Sequence, residues 1–141
     1  MKNRYRNILV AVDGSEQSEK AFQEALQLAV DYQSNLFIAQ ISNDVEPHHK
    51  GLGLSDKQQA LFDRKLAKKI AEAKAFGVKT TRPIIRSGDP KKQLAKLIPE
   101  EFEIDVIMMG ATSQDVISRM LVGSTAGYVV AHAPCTVVVV K

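Results

Sequence analysis

A single cysteine, Cys135, and no tryptophan occur among the 141 residues, and each scarcity removes a class of protein. One thiol cannot close an internal disulfide, so a stapled secreted scaffold is excluded and a reducing compartment suits the chain. No apolar run approaches the roughly 20 residues of a membrane span. The basic start MKNRYRNILVAV leads straight to Asp13 without a small-residue cleavage site, so it reads as a first strand and not a leader. The cytoplasm is the expected location, with no membrane partner. Internal repeats and low-complexity tracts are also missing. There is no GxxxxGK[ST] phosphate loop and no GxGxxG after any apolar run. The turn VDGSEQS holds one glycine, which disfavours a dinucleotide fold. His48-His49 lacks a third ligand at zinc spacing.

What is present is the profile of an ordinary globular protein, 45% hydrophobic and 25% charged. The length suffices for a core without metal or cross-links, and one domain over residues 1–141 is expected. The net charge of +3 is uneven. Residues 1–49, 50–96 and 97–141 carry net −3, +9 and −3. A basic middle could attract a polyanion. However, Lys57, Lys65, Lys68, Lys69 and Lys74 follow a helical spacing and read as a solvated face. No aromatics are interleaved with them to stack bases, so nucleic acid is disfavoured as a partner.

Hydrophobic periodicity alternates between strand and helix. Asn7 to Val12 is a short apolar run, as expected of a strand covered on both faces. Ser15 caps a helix whose buried face is expected to carry Ala21, Phe22, Ala25, Leu28, Ala29 and Tyr32. Asn35 to Ile41 is a second strand. A second helix runs from about Ser55 to Phe76, with Phe62, Leu66, Ile70 and Ala73 on one stripe and Gly77 as its stop. Lys79 to Arg86 makes a third strand. Asp89-Pro90 starts a helix with Leu94, Leu97 and Ile98 on its apolar side, ending before Pro99. Asp105 to Met109 is a fourth strand, Ser124 to His132 a last helix, and Cys135 to Val140 a fifth strand. Such alternation implies right-handed crossovers and a parallel sheet between helix layers.

In open α/β sheets, ligands bind beyond the carboxyl ends of the strands, where the strand order reverses. Asp13-Gly14-Ser15, Ile41-Ser42-Asn43, Ser87-Gly88-Asp89 and the residues from Gly110 onward occupy those ends. The stretch between Gly110 and Gly123 is long for a connection in a compact protein, which marks it as a site. Gly123-Ser124-Thr125 opens the last helix, whose free N–H groups and positive dipole end suit a phosphate.

With these residues in place, the whole chain resembles the universal stress protein family. The resemblance is carried by NILVAVDGS, by GDP at Gly88 to Pro90, by DVIMMGA, and by RMLVGSTAGYVVAHAPCTVVVV. It implies a five-stranded parallel sheet in the order 3-2-1-4-5 with helices on both faces, a Rossmann-like α/β/α sandwich. It also implies a homodimer paired through the last strand. That order puts the switch between the first and fourth strands, where Asp13 faces Gly110. The family's ATP-binding branch carries G-x2-G-x9-G-[ST]. Gly110, Ser113 and Gly123-Ser124 keep its spacing, with Ser113 in place of the second glycine. The resemblance implies adenine near Val12, Asp13 and Ile41, and ribose and phosphates against Met109, Gly110 and the loop with Ser113. It places phosphate oxygens on Gly123, Ser124 and Thr125, and Mg²⁺ between the phosphates and Asp13. If position 113 needs positive φ, serine is strained there by about 1 kcal/mol, which weakens binding about fivefold without abolishing it.

The leading expectation is therefore an ATP-binding, homodimeric regulator of the stress response. A dimeric interaction module that has lost the nucleotide is the alternative. A slow ATPase or phosphotransferase is a third reading, and no residue supplies a convincing general base for it. Plainer roles stand beside the functional ones. Asp13 could be a turn residue, and Arg119 could meet an acidic partner instead of a phosphate. His132 suits a helix end, Cys135 reads as packing, and Met108 and Met109 as core.

Overall fold

The computed structural model describes residues 4–42, 56–111 and 124–141. Five strands form one sheet: β1 (Asn7–Ala11), β2 (Asn35–Ser42), β3 (Thr80–Ser87), β4 (Val106–Gly110) and β5 (Thr136–Val140). All neighbours pair in parallel and the order is β3-β2-β1-β4-β5, as expected. The connecting helices are α1 (Glu16–Tyr32), α2 (Asp56–Phe76), α3 (Pro90–Lys92), α4 (Ile98–Phe102) and α5 (Ser124–His132). Among the described residues no helix is long and apolar enough to cross a membrane.

Strand alternation separates two cores. Ile8, Val10, Val12, Leu36, Ile38 and Met108 face α1 and α2, packing on Phe22, Ala25, Leu66 and Ala73. Leu9, Phe37, Ala39, Ile84, Ile107 and Met109 face the other layer and meet Leu94, Ile98, Ala126 and Val129. Both faces of the central strands are covered, which is why these segments read as unbroken apolar runs. Each fully buried large side chain contributes about 1.5–3 kcal/mol to this arrangement. At the amino ends, the Asn7 N–H donates to Asp105 Oδ2 at 2.8 Å, and Asn35 Nδ2 donates to Asn7 Oδ1 at 2.8 Å. These polar ties fix β1 against β2 and β4.

Ser15 caps α1 as expected: its hydroxyl accepts from the Ser18 N–H at 3.1 Å. The buried face of α1 differs from the expected one at Leu26, Leu28 and Tyr32, with Leu28 only partly buried. Leu26 is buried, while Tyr32 is 44% exposed and meets Tyr5 edge-on. Gln33, in the left-handed region, ends the helix. Gly77, at φ +118°, stops α2 as expected.

The helix after β3 does not end before Pro99. Residues Gln93–Leu97 take a π-helical turn, with the Ile98 N–H donating to the Gln93 carbonyl, and α4 continues to Phe102. Pro99 then occupies the first turn of a new ladder, where its missing N–H costs little. The rotation introduced by the wide turn leaves Leu97 46% exposed, against the expectation that it would be buried.

The row of lysines on α2 is not uniformly solvated either. Lys69 is half-buried, forms an ion pair with Glu19 of α1, and lies 4.4 Å from the centre of the Phe22 ring. Gln23 Nε2 donates to Glu19 and to Glu72 at 2.8 and 2.9 Å, closing a polar clasp between α1 and α2.

Candidate functional site

The strand order reverses between β1 and β4, so the carboxyl ends of those strands define the crevice. The turn after β1 is held by local hydrogen bonds. Asp13 Oδ1 accepts from the Ser15 N–H at 2.9 Å, and the Asp13 N–H donates to Ser18 Oγ at 3.1 Å. Gly14 between them sits at φ +87°, a conformation that glycine adopts without steric cost. Ser18 is buried, so the turn is anchored inside the protein while the Asp13 carboxylate stays exposed. Asp13 therefore serves the turn with one carboxylate oxygen.

Beside this turn opens a cavity of about 150 Å³, lined by Val12, Asp13, Gly14, Gln40, Lys65, Leu66 and Lys69. Val12 and Leu66 give it apolar walls. Gln40, Asp13, Lys65 and Lys69 are its polar lining residues. Gln40, Lys65, Leu66 and Lys69 were not among the candidates read from the sequence. Their residue types blend into a strand and a lysine-rich helix face, and only the crossing of α2 over the end of β2 gathers them.

Gly110 has a packing role that its motif did not reveal. It ends β4 on the face covered by α1, and a Cβ added to it would lie 2.4 Å from the Gln17 carbonyl carbon and 2.6 Å from the Ser18 nitrogen. Glycine here lets the first turn of α1 rest directly on β4. The Asp13 turn and the end of β4 are thus in contact through Ser18.

The structure distributes the other candidates over both sheet faces. Val12 is buried toward α1 and α2, its N–H donating to the Ala39 carbonyl at 2.9 Å. Ile41 and Met109 face the opposite layer, with Met109 5% exposed and Ile41 partly buried. Their side chains do not share a surface with that of Val12. Thr125 is partly buried in the first turn of α5, and Ser124 is the first residue of that helix. Ser113 and Gly123 lie outside the described residues, as do His48, His49 and Arg119.

Two plainer readings hold. Burial, with the Asp105 charge added, pushes the Cys135 thiol up to about 11, so it stays protonated and inert at neutral pH. His132 Nδ1 lies 2.9 Å from the Tyr128 carbonyl and its ring stacks on Tyr128, as suits the end of α5. Among the described residues, no group of three His, Cys, Asp or Glu side chains could hold a metal ion. A cation at Asp13 would need oxygens from a ligand.

A parallel sheet in this order, with helices on both faces, defines a Rossmann-like α/β protein. Residues 4–141 match the family model described as the Universal stress protein family, and the chain belongs to that family. A Staphylococcus haemolyticus protein that carries the family name is 33% identical over 140 residues, 97% of this chain and 85% of its own. The structure of the universal stress protein UspA from Lactobacillus plantarum matches with a TM-score of 0.83 at 32% identity, covering 99% of this chain and 100% of that one. Two more distant structures share the fold. One is a universal stress protein in complex with cAMP (TM-score 0.73, 24% identity, 97% of both chains). The other is the universal stress protein from Archaeoglobus fulgidus in complex with dAMP (TM-score 0.72, 19% identity, covering 97% and 98%).

Proposed function

We propose that this chain binds an adenine nucleotide at the carboxyl ends of β1 and β4 and acts in the stress response as a nucleotide-responsive homodimeric regulator. The observation that carries the reading is the exposed Asp13 turn at the carboxyl end of β1, in contact through Ser18 with the end of β4, in a fold that two other proteins adopt with cAMP or dAMP. Ile41 and Met109, on the layer that also holds the first turn of α5, offer apolar surface to a base. ATP is the proposed physiological form. Its phosphates would extend toward the first turn of α5, where Thr125 and the helix dipole favour negative charge. When Mg²⁺ accompanies the nucleotide, the exposed Asp13 carboxylate would share it with the phosphates.

The test is mass spectrometry of protein purified without added nucleotide, followed by calorimetric titration with ATP, AMP and cAMP, with and without Mg²⁺. Co-purified nucleotide or micromolar binding is expected. No binding of any of the three at millimolar concentration would overturn the proposal and leave the nucleotide-free dimeric module as the better account.

A further inference from the structure

The cavity beside Asp13 contains no residue of β4 or α5, so it is separate from the crevice of the nucleotide reading. It lies on the α1 and α2 face of the sheet. Gln40 follows Leu36 and Ile38 along that face of β2, and Val12 continues the same face past the end of β1. Leu66 supplies the apolar side from α2, with Lys65 and Lys69 from the same helix beside it. Val12 and Leu66 are 8% and 2% exposed. Gly14 leaves the space open, since a Cβ built on it would meet no atom within 4 Å.

Three charged side chains line this space, and two of them are uncommitted. Lys69 is paired with Glu19 and lies over the Phe22 ring. Asp13 Oδ1 accepts from the Ser15 N–H, and its carboxylate has no cationic partner among the described residues. Lys65 is exposed and is likewise unpaired among the described residues. An anion bound here would lie beside Asp13, and a cation beside Lys65 and Lys69. A ligand that carries both charges meets each with its opposite. The apolar surface of Val12 and Leu66 suits a short alkyl group, and the Gln40 amide can donate to a carboxylate or accept from an ammonium. Size sets the limit. A cavity of about 150 Å³ holds a molecule as large as benzene, which has as many non-hydrogen atoms as alanine.

We propose that this cavity binds a compact zwitterion of the α-amino acid class, with its ammonium on Asp13, its carboxylate on Lys65 and its side chain against Val12 and Leu66. The site stands independently of nucleotide binding at the ends of β1 and β4. Asp13 borders both, so the experiment is run without nucleotide or Mg²⁺.

Protein NMR follows the backbone amides of Val12, Gly14 and Leu66 during titration with L-alanine, propionate and isopropylamine. The last two each lack one of alanine's charged groups. In the parent, alanine is expected to bind in the millimolar range and each truncated ligand about fivefold more weakly, the scale of one solvent-accessible ion pair. Lys65→Met removes the partner of the carboxylate. It should bring alanine and isopropylamine to equal affinity while alanine keeps its advantage over propionate. Asp13→Asn retains the acceptor for the Ser15 N–H and should do the reverse. The dispersed spectrum of each variant confirms that it is folded. A flat titration with alanine well above the millimolar range overturns the proposal, as do shifts confined to residues away from the cavity. Propionate or isopropylamine binding the parent as tightly as alanine also overturns it. An unchanged ratio of alanine to isopropylamine in Lys65→Met shows that the carboxylate is not on Lys65, and the assignment falls. None of these results depends on whether ATP binds, so the nucleotide reading stands or falls by its own test.

Discussion

At the scale of single residues, Gly110 matters through the side chain it lacks. A motif built on glycine spacing suggests close approach of a ligand to the backbone. The structure supplies a second cause, the backbone of Gln17 and Ser18 in the first turn of α1. These atoms are main chain and cannot swing aside, so Gly110→Ala must lift α1 off β4 or distort the end of the strand. Overpacking of this kind costs about 1–3 kcal/mol, and a urea titration should show a lower midpoint with an unchanged slope. The same shift would drag Ser18, which holds the Asp13 N–H, so nucleotide affinity is expected to fall in step. Unaltered stability in Gly110→Ala would disprove the close contact. Nothing in the sequence marks this glycine as a packing residue, because the atoms it avoids lie over 90 residues away along the chain. Gln40 was hidden for a related reason, since one polar residue inside NLFIAQI looks like ordinary strand alternation. Ser15 and Asp89, by contrast, were legible at once, because a helix cap depends only on residues two or three positions away.

At the scale of elements, strands and helices were readable wherever one element decides its own face. The apolar runs of β1, β2 and β4 and the stripe through Leu66 and Ala73 of α2 appear in the structure as the sequence implies. What escaped is what a second element imposes. Lys69 belongs by spacing to a lysine-rich face, yet the passage of α1 beside it turns it inward to Glu19 and Phe22. Pro99 reads as a helix stop, yet a π turn before it allows α4 to follow.

The clasp between α1 and α2 carries a pH dependence of definite sign. Burial works against the charged form of Glu19, but hydrogen bonds from Lys69 and Gln23, with the Lys69 charge, outweigh it and hold the carboxyl below its ordinary value of 4.5. As pH falls through the carboxylate range, the unfolded chain therefore takes up this proton before the folded one does, and the stabilisation drains away. At neutral pH the contribution is fully present. Glu19→Gln should then cost stability at pH 7 and cost progressively less as pH drops below about 4.5, the ordinary value. Parallel melting curves for parent and variant from pH 7 to pH 3 check this. A constant gap between them would show that the Glu19 charge plays no part.

At the scale of the whole molecule, the two sheet edges are treated differently. β3 is an edge strand that carries exposed Arg82 and Pro83, and charge and proline are the usual guards against pairing with another chain. Its Arg86 is paired with Glu101 at 2.8 Å, which ties the edge to α4. β5, at the other edge, is Thr136–Val140 with the sequence TVVVV and has neither charge nor proline. Val138 is 36% exposed there, and Val130 of α5 is 54% exposed. An unguarded apolar edge in a protein that guards its other edge argues for a partner, and a second copy related by a two-fold axis closes the contact without leaving a further edge to grow. The parent is thus expected to sediment as a dimer of its 15.5 kDa chain at high micromolar concentration. Val138→Lys places a charge on that edge at a position already partly open to water, and should yield a folded monomer. If the parent itself is monomeric at that concentration, the edge is not an interface between copies. If Val138→Lys remains dimeric, the interface lies elsewhere. A monomeric variant that still binds nucleotide would show that each protomer holds a complete site, so that pairing serves regulation and not the construction of the pocket.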